Sequence, residues 1–293
     1  MQTTMAKLIT TDAQLRAHIP NIIASVKGET PLIERLSLFL NLAEDWVKTT
    51  FTSESTFNTI CGYTDSNNIK ILCSRLVVAD ALRRAIPLLD IVLTPNGFAV
   101  VNTSNLAPAS KPRVDRLVGS MLAHRDECIA ALLPELVGAS SSSQDALLAK
   151  NWLASDRATF FGATLFPDLA IIDSVGVATG SRWEKYLELR SQVIDLEASL
   201  AEEWLSPELM SALRSENLRS DLTEKRGIAV QQIKAQIVGY LRSGSFSSRR
   251  LADIVNYIRL NESDFLEWHK SETAKLFAPP TFRNEKKASG YFF

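Results

Sequence analysis

The run Leu42-Ala43-Glu44-Asp45-Trp46-Val47 is echoed later in the chain by Leu200-Ala201-Glu202-Glu203-Trp204-Leu205. Each run closes an amphipathic stretch. Leu32, Leu36, Phe39, Ala43 and Trp46 recur every three or four residues, as do Leu189, Val193, Leu196, Leu200 and Trp204. That period places each set on one face of a predicted helix. A short polar segment follows each Trp, then a second long helix, over 71–86 in one half and 228–241 in the other. A break and a third helix come next, with Arg113, Arg116 and Leu117 or Arg249, Arg250 and Leu251 near its start. Self-similarity of this kind constrains the whole architecture, because each copy is then one packing unit. Two readings stand: a tandem duplication, with Trp46 and Trp204 at equivalent core positions, or two unrelated amphipathic helices with similar ends.

A chain of 293 residues is long for a single hydrophobic core, which predicts two helical domains. The formal net charge of -1 gives no global attraction to nucleic acid or anionic lipid, so any such contact rests on local patches. No stretch approaches the about 18 consecutive apolar residues of a membrane span, and no signal-type apolar core follows Met1. Cys61, Cys73 and Cys128 are odd in number and lack CxxC spacing, so neither a disulfide framework nor a zinc site is indicated. These features predict assembly in a reducing cytoplasm, with no membrane partner.

Taken in order, Thr11 and Gln14 form a capping box for a short helix through Ile19. Thr30-Pro31 opens the first Trp helix, which runs to about Thr50. Asp65-Ser66-Asn67-Asn68 caps a helix over 69–86, stopped by Pro87. One β element follows: 90–94 and 98–102 read as strands joined by Pro95-Asn96-Gly97, a hairpin insertion over 89–103. Ile91, Val92, Leu93, Phe98, Val100 and Val101 make both of its faces apolar. A hairpin is marginal alone, so one face needs a helix and a second subunit is an economical cover for the other. Pro112 starts a helix through Leu133, and the Ser-rich stretch 139–145 is the best linker. A helix over 144–155 follows; 158–178 is aromatic and β-branched and reads as irregular, extended packing. Helices are predicted over 181–205, 227–241, 247–260 and 263–276. Pro279-Pro280 then begins an extended arm, 279–293, in which Phe282, Lys286, Lys287, Tyr291, Phe292 and Phe293 suit docking onto a partner. The expected fold is mainly α: helical-bundle domains at 1–138 and 146–278, the hairpin insertion, and the C-terminal arm.

Candidate chemistry is sparse. His18, His124 and His269 sit in separate helices with no metal-binding spacing joining them, and a structural role is expected for each. There is no Gly-x-Ser-x-Gly elbow and no phosphate-binding glycine motif. Glu44 with Asp45 and Glu202 with Glu203 point about 100° apart on a helix and read as solvated faces. Arg83-Arg84, Arg113 with Arg116, Arg249-Arg250 and Lys286-Lys287 are local basic pairs, read as solvated helix ends or as contacts to acidic subunits or phosphate. No enzyme activity, cofactor or metal is expected.

Leu8-Ile9-Thr10, the first Trp helix, the hairpin after a Leu-rich helix and the tail Asn284-Glu285-Lys286-Lys287-Ala288-Ser289-Gly290-Tyr291 together resemble a family of uncharacterised proteins of tailed bacteriophages and prophages of Bacteroidetes. The first half also resembles phage head-tail adaptor (connector) proteins, although the chain is roughly twice their length. The resemblance implies a non-catalytic virion protein of the neck, a ring between portal and tail. Its implied partners are further copies of itself in a cyclic homo-oligomer (a dodecamer, by likeness to adaptors), the portal protein and other neck or tail proteins, with DNA passing through the ring without sequence-specific binding. Another head- or tail-completion component, or a nucleic-acid-binding helical protein, is the alternative.

Overall fold

In a computed structural model the described residues are 6–19, 30–89, 91–94, 97–100, 110–138, 143–176 and 180–278, those of the two strands by their backbone alone. Their architecture is mainly α. The chain divides into two compact units, Met1–Gln192 with Leu218–Asp221, and Val193–Asn217 with Leu222–Phe293.

In the first unit the capping box forms as the sequence predicts. Thr11 accepts from the Gln14 amide and the Gln14 side chain accepts from the Thr11 amide, opening α1 (Asp12–Ala17). Pro31 precedes α2 (Leu32–Arg35), and α3 (Ser37–Val47) follows after a kink at Leu36. The buried stripe of α3 is Leu40, Ala43, Glu44 and Val47; Phe39 and Trp46 are half-buried, one residue off the expected face. Glu44 explains part of that rotation. Its Oε1 accepts from the Leu8 and Ile9 amides at 2.8 and 3.4 Å, which fastens the buried N-terminal segment to the inner side of α3. The expected solvated carboxylate is therefore an internal anchor.

A π-helical turn, Lys48–Thr52, continues α3 and ends at Ser53, with φ 71° and ψ 160°. Ser53 caps α4 (Glu54–Cys61) by accepting from the Thr56 amide. Asn67 caps α5 (Asn68–Ala85), most of whose side chains are buried, and a 3-10 turn, Ile86–Leu88, ends it at Pro87. The strands β1 (Ile91–Thr94) and β2 (Gly97–Val100) pair antiparallel, Ile91 opposite Val100 and Thr94 opposite Gly97. The long helix α6 (Lys111–Val137) then packs on α5 through Met121, Cys128, Ile129, Leu132 and Leu136.

The helices α7 (Ser143–Leu153), α8 (Asp156–Phe161) and α9 (Ala170–Val175) lie where a linker, a second domain and extended packing were expected. Residues 146–192 belong instead to the first unit, and the reason is aromatic. Trp152 is 0% exposed and its indole donates to the Phe51 carbonyl at 2.6 Å. Phe161 stacks near Phe51 at 6.1 Å, and Trp183 lies 4.9 Å from Phe51. Burying such rings contributes more than a polar Ser run can oppose. The extended reading of 158–178 holds only between α8 and α9, because β-branched composition yields to packing.

The second unit takes its first turns from the end of α10 (Arg182–Leu200), where Val193, Leu196, Glu197 and Leu200 are buried. A π-helical turn, Ala201–Leu205, again leads to a serine, Ser206, with φ 67° and ψ 143°. Ser206 Oγ accepts from the Leu209 amide at the start of α11 (Pro207–Arg219). Thr223 caps α12 (Glu224–Ser243), and α13 (Ser248–Leu260) packs on it through Leu251, Ile254, Val255 and Ile258. The predicted helix over 263–276 is broken into a 3-10 turn, α14 (Leu266–His269) and α15 (Glu272–Leu276). Arg226 holds the break: its guanidinium donates to the Asp264 carbonyl at 2.7 Å and to both Glu267 oxygens at 2.8 and 2.6 Å, and pairs with Glu216.

Both units use the same local device. Trp152 donates to the Phe51 carbonyl, and Trp268 donates to the Trp204 carbonyl at 3.0 Å, each acceptor standing two residues before the positive-φ serine. Ser155 and Ser271 each return a 2.6 Å hydrogen bond to the carbonyl of that Trp. Phe161 and Phe277 each close the cluster with ring centroids 6.2 Å from Trp152 and Trp268. In this device the carbonyl comes from Phe51 in the first unit and from Trp204 in the second, so Trp46 does not take the place that Trp204 holds. Neither Trp46 nor Trp204 is a buried core residue; both are half-buried. Trp46 stands edge-on to Phe51 at 5.2 Å with the Arg125 guanidinium 5.5 Å from its ring centre.

The two serines sit where a side chain is strained by about 1–3 kcal/mol. Ser53→Gly and Ser206→Gly should each stabilise their unit by about 0.5–1 kcal/mol, because a glycine cap loses only a few tenths. Ser→Ala should destabilise instead, keeping the strain and losing the cap. Urea midpoints at constant slope decide the sign.

Candidate partner-binding surface

The sequence singles out the hairpin and the C-terminal arm. The arm residues Phe282, Lys286, Lys287, Tyr291, Phe292 and Phe293, together with Val101 and the Pro95-Asn96 turn, lie outside the described residues. For Ile91, Val92, Leu93, Phe98 and Val100 the backbone is described. The register pairs Ile91 with Val100 and Leu93 with Phe98, so these four hold one set of alternate positions; Val92 with Ala99 holds the other. Among the described residues the sheet has two strands, so each outer edge offers unpaired amides and carbonyls.

The elements on either side set where this ladder stands. Upstream, Arg35 Nη2 reaches the Leu89 carbonyl at 3.4 Å, and Leu88 is 52% exposed. Downstream, Ser110 is extended and Pro112 fits the first turn of α6, where a missing amide costs nothing. Lys111, Arg113, Asp115 and Arg116 are exposed, Leu117 is 39% exposed, and full burial begins only at Met121. A helix of 27 residues spans about 40 Å, and its first turns contribute no fully buried side chain.

The basic pairs separate. Arg83 and Arg84 are engaged by Asp80 on their own helix at 2.9 and 2.6 Å, and Asp80 is fully buried. Arg125, also buried, lies 3.6 Å from Asp80 and donates to Asp126 at 3.1 and 3.0 Å and to Ser181 Oγ. Asp126 in turn accepts from the Arg182 and Trp183 amides at 2.6 and 3.4 Å, so a carboxylate on α6 caps the start of α10. The buried ionic node Asp80–Arg125–Asp126 has no local sequence signature, because Asp80 is remote in the chain from the adjacent Arg125 and Asp126. Arg113, Arg116, Arg249 and Arg250 are exposed and open to contact.

Sequence reasoning also passed over the His124-x-x-Glu127 pair, whose ring nitrogen and carboxylate stand 3.6 Å apart. Among the described residues no group of three or more His, Cys, Asp and Glu side chains converges to hold a metal ion. Burial pushes the Cys61 and Cys128 thiols up to about 11 and Cys73 higher still, which keeps them protonated and unreactive. Among the described residues no helix is long and apolar enough to cross a membrane.

Burial also raises the Glu44 carboxyl, against the two amides that favour its charged form. The folded chain then holds this proton more tightly than the unfolded chain. The stability it contributes is fully present below the ordinary carboxylate range and is lost as pH rises through the folded value. Glu44→Gln should flatten the part of the stability profile that lies above the ordinary carboxylate range. Denaturation at several pH values checks it; an unchanged slope would remove Glu44 from the titration.

No curated protein and no solved structure matches the chain. Residues 26–142 match the model of a family of unknown function (DUF6712).

Proposed function

We propose that this chain is a non-catalytic structural protein of a tailed-phage virion, a neck adaptor that closes into a ring between portal and tail. The observation that carries the reading is the two-stranded ladder with open edges among the described residues, together with the exposed first turns of α6 further along the chain, inside the segment that resembles adaptors. An open edge accepts a strand from a neighbour, and an exposed helix start offers a further contact surface. Repetition around a rotation axis turns one such heterologous contact into a closed ring. Further copies, the portal and other neck or tail proteins are the partners, and DNA passes through without sequence readout. Assembly takes place in the host cytoplasm, and the arm 279–293 docks on a neighbour.

We read the two units as diverged copies of one module. The shared π turn, positive-φ serine and indole-to-carbonyl bond support this, in the register Phe51–Trp204. Duplication accounts for a chain about twice the length of an adaptor.

Native mass spectrometry of the full chain tests the ring. A closed cyclic oligomer supports it, and a monomer at every concentration opposes it. The double replacement Val92→Ser, Val101→Ser should lower the oligomer fraction while circular dichroism stays unchanged; normal assembly would make the hairpin part of the local fold. Another head- or tail-completion component would assemble only with a partner protein. A nucleic-acid-binding role, for which Arg249, Arg250 and Asn256 on α13 are the candidates, would show instead as salt-dependent binding to duplex DNA.

A further inference from the structure

A cavity of about 390 Å³ opens in the first unit where the end of α1 meets α5 and α6, lined by His18, Arg75, Ser120, Met121, His124 and Glu127 among others. Its size falls at the lower end of small-ligand sites. Three separate segments bring nitrogen-bearing side chains to it. Arg75 projects from α5, exposed, and among the described residues it has no ion-pair partner, unlike Arg83 and Arg84 on the same helix. The Nδ1 atom of His18 is enclosed and has no hydrogen-bond partner among the described residues. His124 stands at the rim, and its Nδ1 faces Glu127, whose side chain is 71% exposed. Glu127 is the one carboxylate of the lining; it stands largely in solvent and makes no ion pair with Arg75.

We propose that this cavity binds a phosphate-bearing small molecule, its oxyanion held by Arg75 and His18 with Ser120 and His124 at the mouth. A guanidinium offers a planar pair of donors that matches two phosphate oxygens, and an imidazole N–H and a hydroxyl supply single donors. Met121 gives the wall an apolar patch for the non-phosphate part of the ligand. Nothing in the ring reading requires this site, and its failure would leave that reading untouched.

The charges around His18 set a sign for the pH dependence. Its ring is held below the ordinary imidazole range, first by burial and then by Arg75, while Asp65 works the other way. Asp65 is itself engaged by Gln14 at 3.0 Å and by Lys70 at 2.9 Å, and His124 and Glu127 face the cavity from α6. An anion beside the ring favours its charged form, so binding should be accompanied by proton uptake and should tighten as pH falls.

The test uses the full chain with inorganic phosphate and with sulfate as probes. Sulfate does not titrate near neutral pH, so its pH dependence reports the protein alone. Expected are saturable binding by calorimetry, an upward shift of the His18 ring titration in proton NMR when either anion is added, and tightening at lower pH. Arg75→Gln, at an exposed position, should fold normally by circular dichroism and weaken binding about tenfold or more. Arg219→Gln, exposed at the end of α11, should leave binding unchanged. Absence of saturable binding, an unmoved His18 titration, or equal losses in both variants would overturn the proposal, the last by showing only diffuse attraction to basic surface.

Discussion

Trp152→Ala should lower the stability of the first unit by about 3–5 kcal/mol, the cost of losing a fully buried indole and leaving a cavity. The Phe51 carbonyl would also lose its donor. Trp46→Ala, by contrast, should cost about 1–2 kcal/mol, since that ring is half-buried and part of its contact area already faces water. The contrast should repeat in the second unit, where Trp268 is 2% exposed and Trp204 is half-buried. Hydrogen exchange read separately on α7 and α14 assigns each loss to its own unit, which a single melting curve of two units does not. Equal costs at Trp46 and Trp152 would restore Trp46 to the core and break the proposed register of the two copies.

Asp126→Ala should be as damaging, by about 3–5 kcal/mol, because it leaves the buried Arg125 without its nearest carboxylate and the Arg182 and Trp183 amides without their acceptor. The loss is mainly the penalty of an uncompensated internal charge rather than the worth of the pair. Asp126→Asn should fall between, since its amide oxygen still accepts from the Arg182 amide. Replacing Arg125 by Met and Asp126 by Leu together should cost less than Asp126→Ala alone, because no charge is then stranded. Urea denaturation of the three variants checks the order. A double variant worse than the single one would show that the node's hydrogen bonds, not its charge balance, support this region.

The elements that sequence reasoning located well are those whose signals are local. The Thr11–Gln14 capping box, the Asn67 cap of α5 and the stop at Pro87 depend on residues within a few positions of one another. Their hydrogen bonds form in any tertiary setting, so composition and spacing suffice to place them. The apolar period likewise gave the buried face of α10, Val193, Leu196 and Leu200.

Errors arose wherever one side chain had to choose among distant partners. Trp46 and Trp204 look equivalent in sequence because both follow a Leu-Ala-Glu run. In the structure it is Phe51 and Trp204 that each supply the carbonyl reached by a remote indole, Trp152 or Trp268. Glu44 read as part of a solvated face and Glu197 carries no local signal at all, yet both are buried. One is fixed by the Leu8 and Ile9 amides and the other by Arg214 at 2.6 Å. The Ser-rich stretch near 140 resembled a domain boundary, but the division falls inside α10. A helix propagates through its own hydrogen bonds whatever packs against it, so no local residue marks the point where its neighbours change. Local hydrogen bonding is written in consecutive residues; which buried polar group meets which partner is settled only when the chain has closed on itself.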